Sequence, residues 1–202
     1  MRLVTGTTVV LLVLVGLFAA LGAGSATATK LCKVKAVANA CPAGEDLKSG
    51  TPLKLTQKTY TPFQIGLAEV DCNTSTLEGA TTSNGGGVGT EVKFSFKTRT
   101  WENCLNCEIE ALRVSWNGGF KWTEGNGGFA EFDNEWKFDC GIDICQYEDI
   151  VKALVGGGAP ATFAISKEAI PKSVGPVGCT NPMLWTATYN ISAPSPMYLT
   201  RE

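Results

Sequence analysis

The chain has 202 residues, with 17 Lys and Arg against 19 Asp and Glu, eight cysteines and no histidine. The near-balanced charge, with no basic run, excludes an electrostatic nucleic-acid footprint. The absent histidine excludes Ser-His-Asp and Cys-His catalysis, a histidine general base and the usual zinc-hydrolase ligand sets.

The chain opens MRLVTGTTVVLLVLVGLFAALGAGSATATK. Arg2 is a short basic region, Val9 to Leu21 an apolar one, and Ala26-Thr27-Ala28 supplies the small residues of a cleavage site. This pattern predicts a secretory signal over residues 1–28, cut after Ala28. The competing reading is an uncleaved anchor, because Val4 to Ala23 holds about 20 residues, roughly enough to span a bilayer. Cleavage leaves residues 29–202 as one domain that no longer spans a membrane, with 16 basic against 19 acidic residues (17 less Arg2), a net charge of −3.

All eight cysteines (Cys32, Cys41, Cys72, Cys104, Cys107, Cys140, Cys145 and Cys179) follow the leader. An even number behind an export signal reads as a disulfide set. Near neighbours are expected to pair as Cys32–Cys41, Cys104–Cys107 and Cys140–Cys145, which leaves Cys72–Cys179 as the long link. Residues 29–60 form the least regular part, expected as a strapped N-terminal extension. The GATTSNGGGVGTE stretch is expected as a loop, and it lacks the Gly-Lys-Ser/Thr of a phosphate loop.

From there the pattern has period two. EVKFSFKTRTW sets Val92, Phe94 and Phe96 on one face. WENCLNCEIE then raises three readings for Cys104 and Cys107: a redox centre, half a zinc site with Cys140 and Cys145, or a structural staple. Glu102, Glu108 and Glu110 disfavour a thiolate there, and no βαβ pattern surrounds the pair. The staple is therefore preferred, as a corner turning on Leu105-Asn106 between the Phe94 strand and the Leu112 strand. CEIEALRV is ambiguous between helix and strand. ALRVSW aligns Leu112, Val114 and Trp116 as a strand, and glycine turns are expected at Asn84-Gly85, Asn117-Gly118-Gly119 and Asn126-Gly127-Gly128.

Trp116, Phe120, Trp122, Phe129, Phe132 and Trp136 crowd this region. They either fill the core or, through Trp116, Phe120, Trp122 and Trp136, form a platform that stacks on sugar rings. Carboxylates recur two apart at Glu108/Glu110, Glu131/Asp133 and Asp133/Glu135. On a strand such a pair shares one face at about 6.5–7 Å, near a glycosidase separation. Asp133, Asn134, Asp139 and Asp143 could supply a calcium loop, although without EF-hand spacing. NEWKF, ATFAIS and LWTATYNIS complete the strands, with Trp136 and Phe138, then Phe163 and Ile165, on single faces. YEDIVKALVGGG, with Ile150, Val151 and Leu154 before three glycines, is the second segment with helical character. Asn73-Thr74-Ser75 and Asn190-Ile191-Ser192 match the glycosylation acceptor pattern.

CTNPMLWTATYNISAPSPMYLT, with CNTSTLEG at Cys72 to Gly79, Cys179, WTATY at Trp185 to Tyr189, and FDCGIDICQY at Phe138 to Tyr147, resembles a group of small secreted proteins of soil actinobacteria. These are cysteine-containing, β-rich and uncharacterised. The resemblance covers roughly residues 70–200, leaves LCKVKAVANACPAGEDL outside its pattern, and implies a secreted β-rich fold without an activity.

The sequence thus predicts an all-β fold, an antiparallel sandwich or barrel stapled by disulfides behind a signal peptide. The expected role is that of a secreted, non-enzymatic domain that binds a partner or serves a surface or matrix. Alternatives are a glycan-binding module using the Trp/Phe platform and a carboxylate glycoside hydrolase. No catalytic, metal or cofactor residue is assigned. The expected partner is an extracellular polysaccharide or cell-surface component.

Overall fold

The computed structural model describes residues 28–59, 61–65, 68–85 and 90–201. The predicted leader at residues 1–27 lies outside them, as does most of the glycine-rich NGGGVG stretch. The described chain is built of strands: β1 (Thr29–Cys32), β2 (Pro52–Thr59), β3 (Thr61–Ile65), β4 (Ala68–Thr81), β5 (Val92–Cys104), β6 (Glu108–Ala111), β7 (Trp116–Trp122), β8 (Gly128–Asp139), β9 (Ile144–Gly156), β10 (Ala161–Ile170), β11 (Lys172–Val174), β12 (Met183–Ala193) and β13 (Tyr198–Arg201). No helix among these residues is long and apolar enough to cross a membrane.

Strand pairing closes an eight-stranded antiparallel barrel. β2 and β3 act as two halves of one barrel strand, because both pair with β4 on one side and β12 on the other. The order then runs β4, β5, β7, β8, β9, β10 and β12 before returning to β2 and β3. Each barrel strand therefore lies beside its neighbours in sequence, the arrangement that short antiparallel connections favour. Closure leaves only the short β6 and β11 as additions at the wall, which limits exposed edges.

Period-two alternation decides which side chains enter. Along β8, Ala130, Phe132, Asn134, Trp136 and Phe138 are buried, while Glu131, Asp133, Glu135, Lys137 and Asp139 alternate with them on the outside. An apolar inside with a charged outside is the reverse of a lipid-facing barrel. Eight strands enclose a space that side chains can fill. Here Trp116, Trp136, Trp185, Tyr147, Tyr189 and seven phenylalanines are fully buried. Their rings lock in series: Trp136 lies 5.0 Å from both Trp116 and Trp185, edge to face in each case, and Trp185 stacks on Phe63 at 5.5 Å. Each such side chain removes about 150–250 Å² from water, and edge-to-face pairs add about 0.5–1.5 kcal/mol beyond that area.

The two ends are built differently. At one end β1 and β13 form a two-stranded plug that buries Leu31, Leu47, Met197 and Leu199. The Asn84 side chain accepts from the Leu31 N–H at 3.1 Å, and the Asn126 side chain from the Ala36 N–H at 2.9 Å, so loop amides tie the plug down. Residues 29–60 are therefore not one extension, since Pro52–Thr59 is a barrel strand and only the part before it forms the plug.

At the other end three disulfides join consecutive connections. The bonds are Cys72–Cys104, Cys107–Cys140 and Cys145–Cys179, with Cys32–Cys41 at the plug. All eight cysteines are bonded. Cys32–Cys41 matches the expected pairing, whereas Cys104–Cys107, Cys140–Cys145 and Cys72–Cys179 are replaced. Strand pairing explains the difference: Cys72 lies directly opposite Cys104 in the β4–β5 ladder. The predicted corner at Leu105-Asn106 exists, with Asn106 at φ 72°, the left-handed region that asparagine tolerates. Its two cysteines bond outward, to Cys72 of β4 and to Cys140 just past the end of β8, rather than to each other.

Three local expectations are also corrected. YEDIVKALVGGG is strand β9, since the β-branched Ile150-Val151 pair extends a ladder with β8 that runs from Asp139–Ile144 to Gly128–Val155. CEIEALRV forms the short β6 followed by a bend, and Val114 is exposed rather than aligned with Trp116. Arg99 fills the resulting gap, donating to the carbonyls of Phe96 (2.9 Å), Val114 (3.2 Å) and Arg113, with its guanidinium 5.1 Å from the Trp116 ring centre. Burial lowers the Arg99 pKa, opposed by the nearby Asp133 charge. Asn117-Gly118-Gly119 is not a turn but the middle of β7. The Asn126 turn is real, and its positive φ of 58° falls on Gly125.

Candidate functional surface on the outer wall

Alternation places three of the four expected platform residues inside. Trp116, Phe120 and Trp136 are fully buried and offer no face to a ligand. Trp122, near the plug, is half-buried. Its indole N–H donates to the Gly125 carbonyl at 3.0 Å, and its backbone N–H to Thr29 Oγ1 at 2.8 Å. The predicted platform is therefore core, because each of these side chains shares the inward phase of its strand.

What faces out is a different set. On β7–β8–β9 the register aligns Lys121 with Phe129 and Phe129 with Leu154, and one step along, Gly119 with Glu131 and Glu131 with Lys152. The half-buried Phe129 ring is flanked by two ammonium groups, Lys152 at 4.1 Å and Lys121 at 5.5 Å from its centre. Leu154 and Ile150 are both 65% exposed on the same face, too open to serve the core. The sequence concealed them because they share a helical face with Val151, which led to the helical reading.

Gly119 leaves a shallow hollow of about 280 Å³ between Lys93, Lys121, Glu131 and Ile150. The Glu91 carboxylate lies over the position a Cβ would take there. Charge compensation surrounds it: Lys121 meets Glu131 at 2.6 Å, Lys152 meets Glu131 at 4.0 Å, and Lys93 pairs with Glu91. The hydrogen bond to Glu131 raises the Lys121 pKa above the ordinary lysine range, and the Glu131 and Glu91 charges add to it.

The paired carboxylates of the sequence lie on this outer surface. Arg113 holds Asp133 at 3.3 Å, Glu135 at 3.6 Å and also Glu148. Lys137 holds Glu110 at 2.7 Å, and that hydrogen bond raises the Lys137 pKa. Adjacent carboxylates thus answer cations across a strand rather than converge on a cleft. The suggested calcium set does not assemble either, since Asp133 faces out and Asn134 in, and among the described residues no group of three His, Cys, Asp or Glu is placed to hold a metal ion. Asn73 is exposed on β4 and Asn190 half-buried on β12.

No family model matches the chain, and neither does any curated protein or solved structure.

Proposed function

We propose that this protein is a secreted, non-enzymatic binding domain that takes an extracellular polysaccharide on the outer wall of β7, β8 and β9. One observation carries the reading: the large aromatic side chains are buried in the interior, while this wall sets an apolar strip (Phe129, Leu154 and Ile150) beside a charged hollow at Gly119. A sugar ring has an apolar face and a hydroxyl rim, and this strip with its flanking Lys93, Lys121, Glu131 and Lys152 matches both. Four disulfides mark an oxidising compartment, and the leader pattern extends that to secretion. The cell-surface or matrix role follows from the same surface.

The test is depletion of the purified protein by insoluble chitin, cellulose and peptidoglycan, with reducing-end release measured in parallel. Binding to at least one, weakened tenfold or more by Ile150→Asp/Leu154→Asp and unchanged by Val174→Asp, supports the reading. Equal binding by the double variant refutes the surface, and released sugar refutes the non-enzymatic role.

A further inference from the structure

The barrel wall is interrupted between β9 and β10. The two strands pair at one end, where Thr162, Phe163 and Ala164 meet Gly156, Val155 and Leu154. They meet again at the other, where β11 continues β10 and pairs Lys172 with Tyr147 and Val174 with Gln146. Between these points, residues 148–153 of β9 have no ladder partner on the β10 side among the described residues, apart from the Glu148 N–H reaching the Pro171 carbonyl at 3.4 Å. The facing part of β10 carries the register shift between Ile165 and Glu168, with Lys167 at φ 52°. A bulge bends a strand locally and disrupts its ladder, and here the hydrogen-bonded ladder between β9 and β10 is split along this stretch.

Polar groups collect behind that split. Asn134 is fully buried, and neither atom of its amide has a protein partner. The ladder sets Asn134 directly opposite Asp149, which shares its inward register and yet is exposed. Glu168, across the split, stands opposite the buried Trp185. The indole N–H groups of Trp116, Trp136 and Trp185 are likewise without protein partners. Their rings adjoin one another, and Trp136 is two residues along the inward face from Asn134. Buried amides and indoles in native interiors find a partner, and where the protein supplies none, ordered water does.

We infer that the split between β9 and β10 is the entrance to an internal hydration site centred on the Asn134 amide. The chemistry selects water over other small guests. The amide nitrogen and the indoles require acceptors, while the amide oxygen requires a donor. A cation would leave the N–H groups unpaired, and an anion would be repelled by Asp149 and Glu168. Water supplies both functions and makes about three hydrogen bonds at such sites.

Water-selective NMR on the ¹⁵N-labelled protein tests this directly. The expected result is water cross-peaks at the Asn134 side-chain NH₂ and at one or more of the Trp116, Trp136 and Trp185 indoles. Those protons should exchange with D₂O at least tenfold faster than the backbone amides of β8. Absence of cross-peaks, or exchange only at the rate of global unfolding, overturns the inference. Asn134→Leu should weaken the indole–water cross-peaks at least fivefold, and unchanged peaks would overturn the assignment to Asn134. Should that variant not fold, the wild-type measurement decides alone.

Discussion

Gly118 and Gly119 are adjacent in β7, face opposite sides of the wall, and should respond oppositely to one added methyl. A Cβ at Gly118 would strike the Glu131 carbonyl on the paired strand, and would lie 2.6 Å from Phe132 Cβ and 2.7 Å from Phe94 Cζ. Two of these three neighbours are fixed by the ladder, so the methyl must displace backbone or the Phe94 ring. Overpacking of this kind costs about 1–3 kcal/mol, and Gly118→Ala should fall at the upper end, about 2–3 kcal/mol. At Gly119 the three nearest atoms to the same methyl all belong to the Glu91 side chain, a flexible group whose carboxylate can swing into solvent. Alanine there also restricts the unfolded chain, worth about 0.4–1 kcal/mol where the backbone is compatible, so Gly119→Ala should lie within about 0.5 kcal/mol of wild type. Urea denaturation followed by tryptophan fluorescence reads both values. For a chain this long the Gly118→Ala cost is a fall of about 4–12 °C in Tm. Equal costs at the two positions would refute the inside–outside assignment of β7.

Non-reducing peptide mapping should recover Cys72–Cys104, Cys107–Cys140 and Cys145–Cys179. In the loop-entropy treatment, removing Cys145–Cys179, with a separation of 34, should cost about 3.8 kcal/mol. Removing Cys32–Cys41, with a separation of 9, should cost about 2.6 kcal/mol, and a reversed order in denaturation would contradict the treatment. Tyr147 supplies a pH test: burial raises its pKa above the usual 10, and its hydroxyl donates to the Thr180 carbonyl. The unfolded chain then releases this proton at a lower pH than the folded one, so the contribution is intact below about pH 10. It is lost as pH rises through the folded pKa. Tyr147→Phe should remove that part of the alkaline decline, and an unchanged profile would show that Tyr147 does not contribute.

The strands were legible wherever one face is buried and the other wet. Val92, Phe94 and Phe96 enter together, as do Trp136 and Phe138, because alternation is a property of the single strand. What failed depends on two strands at once. The Cys72–Cys104 bond follows from a ladder register that no spacing within one segment encodes. Gly118-Gly119 carries a turn composition, but what requires the first of these glycines is the neighbouring strands, through Phe94, Phe132 and the Glu131 carbonyl. The aromatic residues were recognised as a group, but their role depends on whether the wall closes around them. Closure puts Trp116 and Trp136 inside and leaves Phe129, Ile150 and Leu154 to face solvent. Asn134 looked like one more polar residue among acidic neighbours, and only its phase along β8 makes it an interior group.

The plug has a consequence for the order of events. Its two strands pair Thr29 with Arg201 and Cys32 with Tyr198, so this ladder cannot form until residue 198 has been delivered, and before then the first strand can make its local bonds to residues 45–47. Contacts of such long sequence separation form late, after loop-closure entropy has been offset by local pairing. The sequential hairpins from β4 to β10 can zip as they emerge, while the first strand still lacks Leu199 opposite Leu31. A chain delivered from its N-terminal side would therefore assemble an open tube first and seal it last. Stalling before residue 198 should leave that tube uncapped at one end.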